Sequence, residues 1–391
     1  MPEGKHIGLQ VLVFSLVAAT FSTIYITQPV LPVLRSEFGV SASTASLTIS
    51  AVILGIALAN LPFGMLVDRY PIRPIILLGG SVVATCGLFC AATANLTHLI
   101  AARFVQGLFV PSLTTCLVVH LVRSLPSDRL NVVTGSYVSA TVVGGLGGRL
   151  LGGWIHPPLH WRYAFVTASV LLLAATLAAA RWLPKNDGPG EATEETASFA
   201  GLLRRPELLR IFFVAFGAFF VFSSVFNYLP FYLAGPPFRA STQAITLMYL
   251  SYLVGAFTGP VAGNLSNRIG NGATMALGSA TFALAIVATF VPSLPVVAAS
   301  LAGVCAGFFA VHSAASGSLN LKLSSGRGRA NSLYVLFYYI GGSIGITASG
   351  YAYHFAEWRG VAALGILVLT LPFATGVFEM RERKQKPGGG A

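Results

Sequence analysis

Residues 64–74, Gly-Met-Leu-Val-Asp-Arg-Tyr-Pro-Ile-Arg-Pro, form a short charged island between two long apolar runs, the densest cluster of charge in the first hundred residues. A reduced copy, Gly-Asn-Leu-Ser-Asn-Arg-Ile-Gly, stands at 263–270, so that Gly64, Leu66 and Arg69 align with Gly263, Leu265 and Arg268 at an offset of 199. One loop occurring twice in equivalent surroundings predicts an internally duplicated chain.

The surroundings set the class. The 391 residues are 55% hydrophobic and only 9% charged, with a mean hydropathy of +0.76. That leaves too little polar surface to cover a soluble body of this size, which predicts an integral membrane protein. The net charge of +12 does not point to nucleic acid, because such binders carry their basic residues as a patch on a polar domain. Cys86, Cys90, Cys116 and Cys305 all fall inside apolar runs. No disulfide framework, metal site or cofactor is implied, and small apolar filler is the better reading of these thiols.

Working outward from the island, the apolar segments lie at 8–34, 43–67, 74–94, 98–123, 130–153 and 160–183, then at 207–234, 243–265, 273–292, 294–318, 329–352 and 357–378. Each is long enough to cross roughly 30 Å of hydrocarbon as a helix. The first ends in Pro29, Pro32 and Arg35 rather than in small residues, so it is expected to stay as a span and not to be cleaved. The expected organisation is a six-helix bundle over 1–183, a cytoplasmic linker over 184–206 and a second six-helix bundle over 207–391 with a short basic tail. The linker holds Asp187, Gly188, Pro189, Gly190, Glu191, Glu194 and Glu195 with no apolar period, and reads as a mobile tether.

Orientation follows from Lys and Arg. With both termini in the cytoplasm, eighteen of the twenty-four face that side and only Arg35, Arg162, Arg239 and Arg359 face the other, as expected when short basic loops are retained inside. The duplication recurs where Gly144, Gly145, Gly148, Gly153, Trp161 and Arg162 align with Gly341, Gly342, Gly345, Gly350, Trp358 and Arg359 at an offset of 197. Two six-helix units in the same orientation imply parallel repeats, a binding site near the membrane midplane and alternating access by rocking.

The island resembles motif A of the major facilitator superfamily, and Arg103, Gln106 and Gly107 in Arg-Phe-Val-Gln-Gly resemble its motif B. The glycine-rich fifth segment with Arg149, together with Tyr25, Gln28, Pro29 and Pro32, is most similar to bacterial efflux permeases of the drug/proton and arabinose-efflux type. Pro71 and Ile72 stand where motif A usually has a Gly and a basic residue, and the fifth segment lacks the Gly-Pro pair of the antiporter motif C. The resemblance implies an all-α fold of twelve spans in a bacterial inner membrane, acting as a monomer on a small solute and protons. It also implies a cytoplasmic latch of Gly64, Asp68, Arg69 and Arg73, and a coupling role for Arg103 and Gln106. Physically, Gly64 would allow close helix approach, and Asp68 would sit before a helix start, where its charge is favoured. The plainer reading is that these charges end a span and set topology, and it is preferred for Arg73.

Arg103 and Arg149 fall inside spans, where a guanidinium costs at least about 2.5 to 3.5 kcal/mol, so each should face a cavity or meet polar partners. The repeat places Ile346 opposite Arg149 and a site near Gly303 opposite Arg103, so the duplicated fold does not itself require them. Snorkelling to the nearer membrane face is the competing reading. Gln106, three residues after Arg103, shares its helical face. The twelve acidic residues all lie at loops, termini or span ends, which leaves coupling to Asp68, a histidine or the Arg103 site. His312, deep in the tenth segment, can titrate near neutrality or sit neutral against a carbonyl. Tyr25, Gln28, Asn227, Tyr228, Tyr249, Tyr252, Tyr334 and Tyr338 join Arg149 as candidate cavity lining, with packing as the alternative for each.

No HExxH or paired intramembrane carboxylate appears, which argues against a membrane enzyme. The expected function is proton-coupled export of a small organic solute, a drug, sugar or metabolite. The alternative is an uncoupled facilitator or an importer of a polar metabolite.

Overall fold

The computed structural model describes residues 4–67, 69–124, 127–183, 198–323 and 325–385, so Asp68 and the linker stretch 184–197 lie outside the described residues. Among the described residues, ten helices are long and apolar enough to cross a membrane. The fifth expected span lies in a further helix, Ser127–Ile155, and the last two lie end to end in Arg327–Gln385, broken by non-helical backbone at Ala356 and Glu357. The helices in order are α1 Gly4–Ile24, α2 Leu31–Phe38, α3 Ala42–Leu66, α4 Ile72–Ala92, α5 Leu96–Leu113, α6 Thr115–Ser124, α7 Ser127–Ile155 and α8 Arg162–Trp182. They continue with α9 Phe199–Leu203, α10 Pro206–Ala234, α11 Thr242–Met248, α12 Tyr252–Ile269, α13 Asn271–Ala288, α14 Leu294–Leu321 and α15 Arg327–Gln385.

Local chemistry fixes the boundaries. Ser41 caps α3 through the Thr44 amide at 3.1 Å, Asn95 caps α5 through Thr97 at 2.8 Å, and Gly39 ends α2 in the left-handed region at φ 62°. Three segments read as unbroken spans are interrupted, the fourth span at Thr114, between α5 and α6. The first stops at Ile24 and resumes through a 3₁₀ turn, Gln28–Val30, into α2. Pro29 and Pro32 explain this, because each ring removes an amide donor and crowds the carbonyl four residues earlier, at Tyr25 and Gln28. The eighth is divided between α11 and α12 by a 3₁₀ turn at Tyr249–Ser251. The end of the linker, expected to lack structure, holds the short helix α9, capped by Ser198 on the Gly201 amide at 3.0 Å.

The chain forms two compact units, Met1–Thr193 with Ala240–Tyr249, and Glu194–Arg239 with Leu250–Ala391. Ala240–Tyr249 was expected with the second half. It groups with the first because α11 packs on α7, where Gly153 leaves room for the side chain of Thr246. Each unit repeats the same packing. In the first, α1 packs on α7, α3 on α5 and α4 on α8; in the second, α10 packs on α15, α12 on α14 and α13 on α15. The glycine repeat makes the closest of these contacts. A Cβ at Gly144, Gly148 or Gly152 would overlap the carbonyl oxygens of Ala18, Ser22 and Ile26, and one at Gly341 or Gly345 would overlap those of Phe216 and Phe220. Small residues thus bring main chain against main chain.

Candidate functional site

Both intramembrane arginines converge on the interruption of the first span. Arg103 is fully buried, so it does not snorkel. Its Nη1 donates to the Thr23 carbonyl at 2.7 Å and to Gln106 Oε1 at 2.7 Å, its Nε donates to the Thr48 carbonyl at 3.0 Å, and its Nη2 donates to the Ile24 carbonyl. Thr23 and Ile24 close α1, where the helix no longer supplies amides to its own carbonyls. A cation there also meets the negative end of the helix dipole. Gln106 completes the arrangement by donating from Nε2 to the Val83 carbonyl at 2.9 Å. Arg103 and Gln106 therefore tie α5 to α1, α3 and α4.

Arg149 holds the other side of the same break. It is 2% exposed, donates from Nε to Gln28 Oε1 at 2.7 Å and from Nη1 to the Gly145 carbonyl at 2.6 Å, and lies 3.9 Å from the Tyr25 ring centroid and 5.5 Å from that of Tyr249. Of the expected cavity residues, Tyr25, Gln28, Arg149 and Tyr249 are thus brought together in the first unit by hydrogen bonds and cation–π contacts. The second unit has neither arginine, and its α10 runs unbroken from Pro206 to Ala234. The cations stand in the repeat whose first span is broken, which resolves why symmetry did not demand them.

In the second unit, Tyr252, His312, Tyr334 and Tyr338 join one aromatic cluster. Tyr338 stacks on Phe219 at 3.8 Å, Phe308 stacks on Phe222 at 3.9 Å, and Tyr252 lies 4.6 Å from Phe226 and 5.3 Å from Phe222. His312 lies parallel to Phe308 at 5.9 Å, and its Nδ1 is 3.0 Å from the Tyr334 hydroxyl. Phe219, Phe222 and Phe308 were missed in the sequence, because phenylalanine in an apolar span carries no signal of its partner. Tyr228 also makes contacts along α15. It is buried between α10 and α15, donating to the Ile346 carbonyl at 3.0 Å and stacking on Tyr353 at 5.4 Å.

Asn227 is fully buried, and neither amide atom has a hydrogen-bond partner among the described residues. Such a group costs about 1–3 kcal/mol. Asn227→Leu is therefore expected to raise the melting temperature of the purified protein by several degrees; an unchanged or lower melting temperature would show that the amide does not go unsatisfied.

Among the described residues, a Cβ at Gly64 would meet only Thr115 Cγ2, at 3.8 Å. The close glycines of this region are Gly55 and Gly107, set against the backbones of Phe104 and Val52. Arg69 is exposed, whereas Arg73 donates from Nε to the Leu183 carbonyl at 3.1 Å, holding the end of α8. A further polar lock, unseen in the sequence, centres on Glu37. Its carboxylate accepts from Trp161 Nε1 at 2.5 Å and Arg162 Nη1 at 2.6 Å, while Arg162 Nη2 donates to the Thr93 carbonyl at 2.9 Å. In the second repeat Trp358 donates instead to Thr289 Oγ1 at 2.8 Å. Among the described residues, no group of His, Cys, Asp and Glu is arranged to hold a metal ion.

Comparison with known proteins agrees with this architecture. The family model of the Major Facilitator Superfamily matches residues 13–295 and 236–390. The inner membrane transport protein YnfM of Escherichia coli (strain K12) is 28% identical over 377 residues, covering 93% of this chain and 88% of that protein. The uncharacterized MFS-type transporter YybF of Bacillus subtilis (strain 168) is 26% identical over 355 residues, covering 88% and 86%. Among solved structures, a bacterial homolog of the human lysosomal transporter Spinster, in an inward-facing and unoccupied conformation, matches with a TM-score of 0.81 at 16% identity, covering 99% of this chain and all of that one.

Proposed function

The chain belongs to the major facilitator superfamily, a family of transporters, and from that premise we propose that it exports a small organic solute by alternating access, driven by protons. The observation that carries the solute reading is the cluster of Arg149, Gln28 and Tyr25 at the interrupted first span. An interruption of regular helix within the hydrocarbon, lined by polar groups, is where transporters place their substrate sites. Export is supported by the resemblance of the glycine-rich fifth segment to efflux permeases. Of the expected coupling groups, Arg103 is engaged with α1 and Gln106 with α4 and Arg103, while His312 is half-buried. Asp68 keeps its proposed latch role with Arg69.

The test is solute flux in proteoliposomes with and without an imposed pH gradient. Accumulation against a concentration gradient only when the pH gradient is present supports the reading. Downhill equilibration indifferent to that gradient would replace it with the facilitator alternative, which the engagement of Arg103 and Gln106 favours.

A cationic group at the interrupted span and acidic residues confined to loops, termini and span ends suit neutral or anionic amphipathic solutes better than permanent organic cations. Arg149→Leu is expected to weaken transport of an anionic solute more than that of a neutral one. The reverse ranking, or robust export of quaternary ammonium compounds by the unmodified protein, would refute this. For orientation, we place both termini in the cytoplasm of a bacterial inner membrane, with the protein acting as a monomer. Single cysteines at Arg73 and Arg327 should then be shielded from an impermeant external reagent, and one at Arg239 labelled; the opposite pattern inverts the topology.

A further inference from the structure

His312 and Tyr334 form a polar edge on an otherwise aromatic wall in the second unit. His312 lies on α14, one turn after Phe308, and Tyr334 and Tyr338 lie one turn apart on the first half of α15, so four side chains from two helices meet at one level. The wall is backed by the stacked pairs Phe219–Tyr338 and Phe222–Phe308, at 3.8 Å and 3.9 Å. Phe219, Phe222 and Phe308 are buried, whereas Tyr338 and His312 keep part of their surface open. The buried rings fix the position of the open ones, so the wall exists before anything binds to it.

The hydrogen bonding sets what His312 presents. The Tyr334 hydroxyl lies 3.0 Å from Nδ1 and 3.4 Å from the His312 carbonyl oxygen. With the phenol donating along the shorter contact, Nδ1 is the acceptor and the ring proton resides on Nε2. Nε2 has no hydrogen-bond partner among the described residues and is not a buried atom. An oriented N–H donor beside a part-open aromatic ring is the arrangement of a small-molecule site, where apolar lining supplies the contact and a few placed polar groups supply orientation.

We propose that this edge recognises a planar aromatic solute bearing a hydrogen-bond acceptor such as a carboxylate or carbonyl, the ring lying against Tyr338 and the acceptor taking the His312 Nε2 proton. The proposal rests on the transporter reading and narrows its substrate class. It also separates two roles on one ring. Recognition uses Nε2, whereas a proton would enter at Nδ1, the atom that Tyr334 occupies.

The experiment measures equilibrium binding of 2-naphthoate to the purified full-length protein, with decahydro-2-naphthoate as the saturated carboxylate of similar shape. Unmodified protein should bind the aromatic acid about tenfold more tightly than the saturated one, the size of one or two favourable contacts. His312→Leu should lose about tenfold in naphthoate affinity, and His312→Gln, whose amide nitrogen can reach the place of Nε2, should recover most of it. Melting curves establish folding; if His312→Leu does not fold, Tyr334→Phe decides, with an expected loss of a few fold because the ring is no longer held in one tautomer. No naphthoate binding, equal binding of the two acids, or unmodified affinity in a folded His312→Leu (or, where that does not fold, Tyr334→Phe) would overturn the proposal. Flux in proteoliposomes separates it from its premise. Transport without aromatic preference defeats the proposal alone, and the expected binding without any flux defeats the transporter reading alone.

Discussion

Arg103→Leu is expected to yield little or no folded protein, and Arg103→Lys only a partial rescue. The guanidinium is fully buried and serves the carbonyls of Thr23, Ile24 and Thr48 and the Gln106 amide at once. Leucine fills similar space but leaves the end of α1 and the Gln106 oxygen without donors. Each stranded group costs about 1–3 kcal/mol, so the loss approaches the 5–15 kcal/mol, roughly, that holds a typical protein folded. Lysine keeps the charge but not the planar fork that reaches several acceptors. Arg149→Leu should be milder, because it removes the donor to the Gln28 side chain, whereas Gly145 lies in mid-helix, where its carbonyl also receives a helical amide. The measurements are the yield of monodisperse protein and its melting temperature. A variant of Arg103→Leu with unmodified yield and melting temperature would show that the break in the first span is held by something else.

The membrane class, the span positions and the duplication were legible because they depend on composition and period, which a chain shows without its fold. The location of the two arginines inside spans was legible for the same reason. Their partners were not. The acceptors of Arg103 are main-chain carbonyls at residues 23, 24 and 48, and a carbonyl has no letter in the sequence. The interruption itself was signalled by Pro29 and Pro32, yet the apolar run continues through them, so hydropathy read one span over 8–34. Close main-chain contacts fall at Gly144, Gly148 and Gly152, spaced every fourth residue along one face. The pairing of His312 with Tyr334 joins separate helices, and only the packing of α14 beside α15 brings it about. Asp68, the residue on which the latch reading depends most, lies outside the described residues.

Gly148→Val is expected to abolish folding while Gly147→Val, one residue earlier on the same helix, is tolerated. At Gly147 a Cβ would meet nothing within 4 Å; at Gly148 it would overlap the Ser22 carbonyl oxygen and lie 2.7 Å from the Ser22 Cα. Overpacking a core costs about 1–3 kcal/mol where neighbouring side chains can yield. Here the neighbour is main chain, so relief requires α1 and α7 to move apart. That motion is expensive for a second reason. Ser22 immediately precedes Thr23 and Ile24, and Arg149 immediately follows Gly148, so separating the helices also draws the Arg103 acceptors and the Gln28 amide away from their guanidinium donors. Gly345→Val provides the matching test in the second unit, where a Cβ would meet the Phe220 backbone and the arginine joining the two helices, Arg210 to Glu382 at 3.3 Å, stands well before Phe220 on α10. It should therefore destabilise less than Gly148→Val. Equal melting temperatures for Gly147→Val and Gly148→Val would show that the first and fifth spans do not lie main chain to main chain. A Gly345→Val variant less stable than Gly148→Val would show that the arginines add nothing to the contact they flank.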